Sequence, residues 1–197
     1  MIRYILCVGI LAFVWIINGR EIVQAGKQGV ASEIYIHAGL GIFLSLLILE
    51  PTLGIFRFWA RFDILWLKII GFILFLPSAY LVWASHHILK HKGKPKNGKL
   101  STTTTFVETG IYGIIRQPMT LGMAIWSAAF VFVFQSIPSL ALGALAILCF
   151  WVSASKEGRH NIGKFGEDYR KYMRNVPMWN VIIGLRRRRE KRSRVYG

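Results

Sequence analysis

Five long apolar runs constrain the fold of this chain more than any other feature of its sequence. They cover residues 2–18, 35–56, 64–85, 119–135 and 137–154 of the 197-residue chain. A helix needs about 20 mostly apolar residues to cross the hydrocarbon core of a bilayer, and the mean hydropathy of +0.44 is high for a soluble domain. The runs therefore predict an all-α, polytopic membrane protein with about five transmembrane helices.

The first two runs each allow two interpretations. Arg3 precedes the first apolar core as in a signal peptide, but the core is long and no A-x-A pattern follows it. We therefore expect an uncleaved helix. In the second run Glu50 precedes Pro51, which predicts a kink or an early helix end. The Glu50 carboxylate is expected at the membrane interface, and the alternative is that it faces protein or water within the membrane.

The last two runs are joined by the short segment "QSIPS" at residues 135–139. Such a short connection predicts a tight antiparallel helical hairpin. Small residues at helical spacing, Ala124 with Ala128 and Ser139 with Gly143, would allow the two helices to approach closely. Small residues are also common in membrane helices in general, so the close approach is predicted from the short connection together with these residues and not from the residues alone.

Lysine and arginine residues are concentrated in three polar segments. Segments 19–34, 86–118 and 155–197 hold 21 of the 25 lysines and arginines, and the net charge of the chain is +16. Cytosolic loops of membrane proteins carry such an excess, so we expect these segments and the C-terminus in the cytosol. The run "RRRREKRSR" at residues 186–194 is expected to be disordered or to lie against anionic lipid, and no nucleic-acid partner is predicted.

Several common catalytic and metal-binding patterns do not occur in the sequence. Cys7 and Cys149 lie inside apolar runs, which favours two buried thiols over a disulfide. No Cys/His spacing typical of zinc is present, so no metal site is predicted. The sequence also lacks a P-loop, a GxGxxG fingerprint after a strand, and a plausible Ser/His/Asp or Cys/His set.

A polar segment, "TGIYGIIRQPMTLG" at residues 109–122, stands at the start of the fourth apolar run. The predicted topology places it on the same side of the membrane as residues 155–175, which follow the hairpin. Pro118 suits the first turn of a helix, and it holds the preceding Gln117 out of helical geometry. The polar and aromatic residues that the two segments would bring together are Tyr112, Arg116, Gln117, Thr120, Glu157, Arg159, His160 and Tyr169.

Two interpretations of this residue set remain open on the residues alone. Aromatic faces and a carboxylate can hold a cationic group such as a sulfonium or a quaternary ammonium, which favours a cofactor site. Arginine and tyrosine side chains are also typical of a plain interface with lipid headgroups.

The two segments and the hairpin between them resemble the isoprenylcysteine carboxyl methyltransferase family. The resemblance rests on "FVETGIYGIIRQPMTLG" followed after the hairpin by "KEGRHNIGKFGEDYRKYMRNVP", and it covers about residues 86–178. That family belongs to a wider group of membrane methyltransferases that includes phospholipid N-methyltransferases. The resemblance implies a helical membrane enzyme that binds S-adenosyl-L-methionine on the cytosolic side and releases S-adenosyl-L-homocysteine. It also implies a lipidic or prenylated small substrate.

The resemblance also assigns roles to individual residues of this chain. Arg116, Gln117 and Glu157 are the candidate catalytic residues, and Ser153 occupies a position that contacts substrate in the prenylcysteine enzymes. Phe165, Gly166, Tyr169 and Tyr172 match the part that packs the C-terminal helix. The residues expected to bind the cofactor are Thr104, Thr105, Phe106, Val107, Tyr112, Gln117, Pro118, Met119, Thr120 and Glu157.

The chain departs from the family pattern at five positions. Gln117 replaces a histidine, Thr120 a tyrosine, Gly158 the second glutamate of a pair, Ser153 an arginine and Thr104 a histidine. Three hypotheses therefore stand: a methyltransferase acting on a lipidic or small hydrophobic substrate, a diverged member that binds cofactor or lipid without turnover, and a non-enzymatic membrane protein.

The predicted organisation has three parts. Residues 1–85 would form the three N-terminal transmembrane helices, and residues 86–178 the cofactor-binding region with its helical hairpin and a C-terminal amphipathic segment. Residues 179–197 would form a basic, disordered tail.

Overall fold

The computed structural model describes residues 2–54, 58–94 and 103–196, apart from the side chains of residues 2, 192 and 194–196. Its described part contains helices and no strand, which confirms the predicted all-α class. The six α-helices are α1 (Ile2–Gln28), α2 (Ala31–Leu49), α3 (Leu65–Lys92), α4 (Pro118–Phe134), α5 (Ile137–Asn175) and α6 (Val181–Tyr196). A π-helical turn spans Glu50–Gly54 and a 3-10 turn spans Gly110–Gly113.

The first five helices pack as a row of neighbours. The main contacts are α1 with α2, α2 with α5, α5 with α4, and α4 with α3. The α4–α5 hairpin therefore lies in the middle, flanked by α2 and α3. We call the end of the bundle at Pro118, where α4 begins, the site end, and the end at Gln135, where α4 meets α5, the turn end.

Four helices of the described part have the length and apolar character needed to cross a bilayer: α1, α2 with its π turn, α3 and α5. Helix α4 is apolar but only 17 residues long, which corresponds to about 26 Å. A helical polytopic membrane protein is thus the observed architecture, as predicted. The first helix extends to Gln28 and the third to Lys92, so both run beyond the apolar stretches from which they were predicted.

Small residues set the close packing of the hairpin and of α3 against α4. A Cβ atom at Gly143 of α5 would lie 2.2 Å from a methyl carbon of Val131 on α4, so only glycine allows this approach. Across the other face of α4, the Ser78 hydroxyl donates to the carbonyl of Gly122 at 2.7 Å. The predicted close approach of the two hairpin helices is confirmed at Gly143.

A buried polar cluster closes the turn end. The Glu50 carboxylate is fully buried, accepts from Arg61 Nη2 at 2.6 Å and from Trp59 Nε1 at 3.2 Å, and contacts the hydroxyl of Ser136. The Glu50 carboxylate therefore faces protein, as in the second interpretation of this run, and donors from two other segments compensate its burial. The Gln135 side chain adds two bonds to the backbone of Ile64, at 2.7 and 2.8 Å.

Helix α5 continues past its apolar part, residues 137–154, and then doubles back. Gly166 has φ 64° and ψ −140°, a non-helical conformation inside the long helix, and glycine adopts such a conformation at no steric cost. Beyond this bend the chain returns, since Asn161 donates to the Tyr169 hydroxyl at 3.3 Å. Met173 likewise lies against Gly158. The predicted helical character of residues 155–175 is confirmed.

The basic tail differs from its prediction. Instead of a disordered segment, residues 181–196 form α6. The helix is held in place at Gly184, where a Cβ atom would fall 1.9 Å from the carbonyl oxygen of Ile114. This glycine lets α6 pack directly on the backbone that precedes α4, a contact that charge composition alone does not indicate.

Candidate functional site

The polar segment 109–122 folds as a turn followed by an extended stretch. Gly110 has a positive φ of 64° and opens the 3-10 turn, where a Cβ atom would meet Ile88 of α3 at 2.9 Å. Gln117 has φ −126° and ψ 60°, and Pro118 then starts α4. The prediction that Pro118 begins a helix and keeps Gln117 outside it is confirmed.

The extended stretch pairs with the chain that follows α5. The backbone N–H of Arg116 donates to Pro177 O at 2.9 Å, and that of Gln117 donates to Met178 O at 3.3 Å. Side chains reinforce the contact, because Trp179 Nε1 donates to the Thr120 hydroxyl at 3.2 Å. The structure thus brings together two segments that are about sixty residues apart in sequence.

The Glu157 carboxylate lies at the centre of this meeting point. It is partly buried just past the apolar part of α5. Burial raises its pKa to about 7, and the nearby Glu33 carboxylate adds to the rise. Hydrogen bonds from Gln117 and Asn161 act in the opposite direction, as does the charge of Lys164. A carboxyl group tuned in this way changes its charge near neutral pH and would be stabilised in its ionised form by a cation.

Two tyrosines, Tyr112 and Tyr169, lie near the Glu157 carboxylate, and Tyr172 lies beside both of them. Burial raises the pKa values of Tyr112, Tyr169 and Tyr172, so all three phenols stay neutral. The Tyr172 hydroxyl donates to the carbonyl oxygen of Tyr112 at 2.6 Å. This bond joins the returning end of α5 to the 3-10 turn, and it thereby fixes the position of Tyr172 relative to Tyr112.

The Arg116 guanidinium is half-buried beside the tyrosines, and burial lowers its pKa. Its Nε atom is buried and has no hydrogen-bond partner within the described residues. A buried donor without a partner costs free energy unless something accepts from it. Arg116 therefore offers a place for an anionic group of a ligand.

An aromatic wall lines the space beside these groups. The ring of Phe106 lies 5.0 Å from that of Tyr172, 5.6 Å from that of Tyr169 and 5.9 Å from that of Phe165, measured between centroids. Next to this wall is a half-open groove of about 1220 Å³, bordered by Phe106, Tyr172, the 3-10 turn and α6. Its volume is sufficient for a ligand of nucleoside size.

The other predicted site residues fall into two groups. Pro118 is buried and Met119 and Val107 are half-buried near the site, whereas Thr104 and Thr105 are exposed. The backbone N–H groups of both threonines donate to Gly93 O, at 3.0 and 3.2 Å, which places them at the end of α3. Arg159 and His160 are exposed and do not join the cluster.

Ser153 lies between α5 and α2 rather than in the open groove. It is buried, and its hydroxyl donates to the carbonyl of Ser32 at 2.8 Å. This bond holds the first turn of α2 against α5, at a point one turn of α5 before Glu157. Glu33, the next residue after Ser32, therefore comes close to the site.

Sequence reasoning missed three residues that contribute to the site. Asn161 lies four residues after Glu157, and this spacing places it on the same helical face, so it could have been found. Trp179 follows the V-P pair and gave no separate signal. Glu33 comes from the other half of the chain, and no local pattern connects it with Glu157.

Comparison with known proteins is consistent with this geometry. Residues 66–168 match the model of the family described as phospholipid methyltransferase. This match covers just over half of the chain, and the protein belongs to that family. Neither the curated proteins nor the solved structures gave a match. The matched region runs from α3 through the hairpin to the bend of α5, so it includes Tyr112, Gln117 and Glu157.

Proposed function

We propose that this membrane methyltransferase uses S-adenosyl-L-methionine and acts on a lipidic or small hydrophobic substrate, as in the isoprenylcysteine carboxyl methyltransferases. The observation that carries the proposal is the convergence of Tyr112, Gln117 and Glu157 at the start of α4. These residues come from two segments that the backbone pairing of residues 116–117 with 177–178 holds together. Membership of the methyltransferase family supports the same reaction class.

The side chains at this site fit the cofactor. Glu157 would attract its positive charge, and the neutral ring of Tyr112, which lies near that carboxylate, would offer a face to the sulfonium. The partnerless Nε–H of Arg116 would donate a hydrogen bond to an anionic group, such as the carboxylate of the methionine moiety. The ring of Phe106 would stack on the adenosyl part, and the adjoining groove, whose lining is mostly charged and polar, has the volume to hold it.

The residues of the site would act mainly by positioning and by excluding water. When bound, the cofactor supplies an electrophilic methyl group, and displacement at such a carbon depends on alignment more than on acid–base chemistry. Tyr172 holds the 3-10 turn in place through its bond to Tyr112 O. Gln117 and Asn161 keep the Glu157 carboxylate oriented.

A lipidic substrate, prenylated or acylated, would reach the site sideways from the bilayer, between the helices that flank the start of α4. The prenylcysteine enzymes have an arginine at the position of Ser153, whose hydroxyl is committed here to the carbonyl of Ser32. This difference favours a substrate whose acceptor group needs no arginine at that position.

The site and the C-terminus would face the cytosol, because the segments at the site end hold most of the lysines and arginines. A cysteine introduced at the exposed Ser193 tests this orientation. It should react with an impermeant maleimide only after the cells are permeabilised, and labelling of intact cells would contradict the proposed topology.

The central experiment follows labelled methyl groups from S-adenosyl-L-methionine into total membrane lipid and into prenylcysteine analogues. Calorimetry with S-adenosyl-L-homocysteine measures binding in parallel. Glu157→Gln should weaken both, whereas the matched exposed variant Glu167→Gln should leave both unchanged. The proposal is refuted if the purified protein neither binds the cofactor nor transfers a methyl group to any of these acceptors.

A second candidate function is binding of the cofactor or a lipid without turnover. It is favoured by the environment of Thr120, whose hydroxyl donates to Gln117 O at 3.1 Å and accepts from Trp179. That hydroxyl is therefore occupied by the protein itself. Gln117→His combined with Thr120→Tyr should raise activity or affinity if the site has decayed. Lower activity of this double variant would show instead that the site is adapted to its own substrate.

A further inference from the structure

Helix α6 has two opposite faces with different environments. At 3.6 residues per turn, Gly184, Arg187 and Arg188 fall on one side, and Ile182, Arg186 and Arg189 fall on the other. The first set packs on the protein. The second set is exposed, with Ile182 at 81% of its full accessibility and the Arg186 side chain also at 81%, where it forms a surface ion pair with Glu190 at 2.9 Å.

The protein-facing side of α6 holds both halves of the site. Gly184 packs on the Ile114 carbonyl just before the extended stretch. Arg188 Nη1 donates to Gly110 O at 3.1 Å, in the 3-10 turn. Arg187 Nη1 donates to Arg174 O at 2.9 Å, at the end of α5. Displacement of α6 would therefore release the turn that carries Tyr112.

The outward side combines apolar and cationic residues close to the level at which α4 begins. Ile183 and Leu185 lie on either side of Ile182 around the helix and are exposed at 42% and 41%. The helix starts two residues after Trp179, which bonds to Thr120 in the first turn of α4. Exposed apolar residues followed by arginines are typical of helices that lie in the interface of an anionic membrane.

We propose that α6 is an interfacial clamp, whose outward face binds an anionic lipid surface and whose inner face thereby holds the cofactor site closed. Arg186 and Arg189 bind lipid headgroups, and Ile182 inserts between them. The docked position of α6 then holds the 3-10 turn in place through the contacts of Gly184, Arg187 and Arg188. The lipid contact stands independently of the reaction, whereas its effect on cofactor affinity rests on the proposed function.

The membrane contact is tested first, without any cofactor. The full-length protein carrying Ile182→Cys, with Cys7→Ala and Cys149→Ala, is labelled with an environment-sensitive fluorophore at position 182. It is placed in nanodiscs of phosphatidylcholine alone or of an equal mixture with phosphatidylglycerol. Spin-labelled lipid should quench the fluorophore much more strongly in the anionic nanodiscs, and added salt should reduce the difference. Equal quenching in the two bilayers would overturn the lipid contact.

The coupling is then measured as affinity for S-adenosyl-L-homocysteine in the same two bilayers. The affinity should be higher in the anionic bilayer, by up to about five-fold for each arginine that engages a headgroup. Arg186→Gln with Arg189→Gln should abolish this response and leave the affinity in phosphatidylcholine unchanged. The matched control Lys90→Gln with Arg159→Gln removes two exposed charges elsewhere and should keep the response.

A third variant separates the clamp from the lipid contact. Gly184→Ala places a methyl group against the Ile114 carbonyl and should undock α6, so affinity should fall in both bilayers while quenching of the fluorophore persists. A lipid response that survives in the Arg186/Arg189 double variant would overturn the proposal. Quenching in anionic bilayers without any cofactor binding would uphold the lipid surface and refute the proposed function instead.

Discussion

The Glu157 carboxyl group predicts how cofactor binding depends on pH. Partial burial and the neighbouring Glu33 raise its pKa to about 7, so its charge changes within the physiological range. S-adenosyl-L-methionine carries a sulfonium, and S-adenosyl-L-homocysteine carries a neutral sulfur in its place. Binding of the first should therefore depend on the ionised form of Glu157 more strongly than binding of the second.

The size of the effect follows from the position of this pKa. With a pKa of about 7, the carboxyl group is about half ionised at pH 7 and about one-tenth ionised at pH 6. If the cation binds only to the ionised form, its apparent dissociation constant should rise about tenfold between pH 8 and pH 6. Loss of a bond between charged partners costs about 1.5–3 kcal/mol, so Glu157→Gln should weaken binding about ten- to a hundredfold.

The assay is calorimetry of both ligands from pH 5.5 to 8.5 with wild-type protein, Glu157→Gln and Glu167→Gln in the same nanodiscs. Glu167 is exposed and pairs with Arg174 on the surface, so its variant controls for the loss of one acidic residue nearby. The reasoning is refuted if the wild-type protein binds the sulfonium equally well across this range, or if the pH step survives in Glu157→Gln.

The same pKa shift has a consequence for stability without ligand. The pKa is raised above the usual 4.5, so between about pH 4.5 and 7 the folded protein retains a proton that the unfolded chain releases. Stability contributed by this group is therefore present at low pH and is lost as the pH rises through 7. Glu157→Gln should flatten that part of the profile in thermal unfolding experiments, and an unchanged slope would contradict the assignment.

Three further predictions concern single contacts. Tyr172→Phe leaves the carbonyl of Tyr112 without its donor and should lower stability by about 1–3 kcal/mol and weaken cofactor binding, whereas retained affinity would show that the 3-10 turn is held by other contacts. Glu50→Gln leaves the charge of Arg61 uncompensated at the turn end and should cost about 3 kcal/mol in thermal unfolding, with cofactor affinity of the folded protein unchanged. Gly143→Val would drive apart the hairpin helices and should reduce both yield and activity, and normal yield would contradict the tight packing.

Much of the fold could be predicted because a chain that crosses a lipid bilayer can adopt few backbone structures. In a bilayer the backbone must satisfy its own hydrogen bonds, so each apolar run implied a helix, and Pro118 marked the start of α4. The end of α1 at Gln28 was not predictable from hydropathy, because a helix can continue beyond the membrane as long as its backbone bonds are made. The partners of Glu50 were not predictable for a related reason, since Arg61 and Ser136 lie in other segments of the chain.

The site was predictable in its outline and less so in its detail. The motif around Gln117 and the position of Glu157 indicated which segments would meet, and the topology placed them on the same side. The contribution of Glu33 was not predictable, because it depends on the packing of α2 against α5 through Ser153. The docking of α6 depends on one glycine, Gly184, whose role becomes visible only with the Ile114 carbonyl beside it.

The backbone pairing between residues 116–117 and 177–178 has a consequence for how such a site can change over time. Main-chain hydrogen bonds do not depend on which side chains the paired residues carry. The outline of the pocket can therefore be inherited while individual side chains are exchanged, for example Gln117 and Thr120, which differ from the histidine and tyrosine of the prenylcysteine methyltransferase pattern that the chain resembles. Libraries randomised at these two positions should yield mostly folded proteins with altered ligand preference, which makes this pocket suitable for selecting new acceptor specificities.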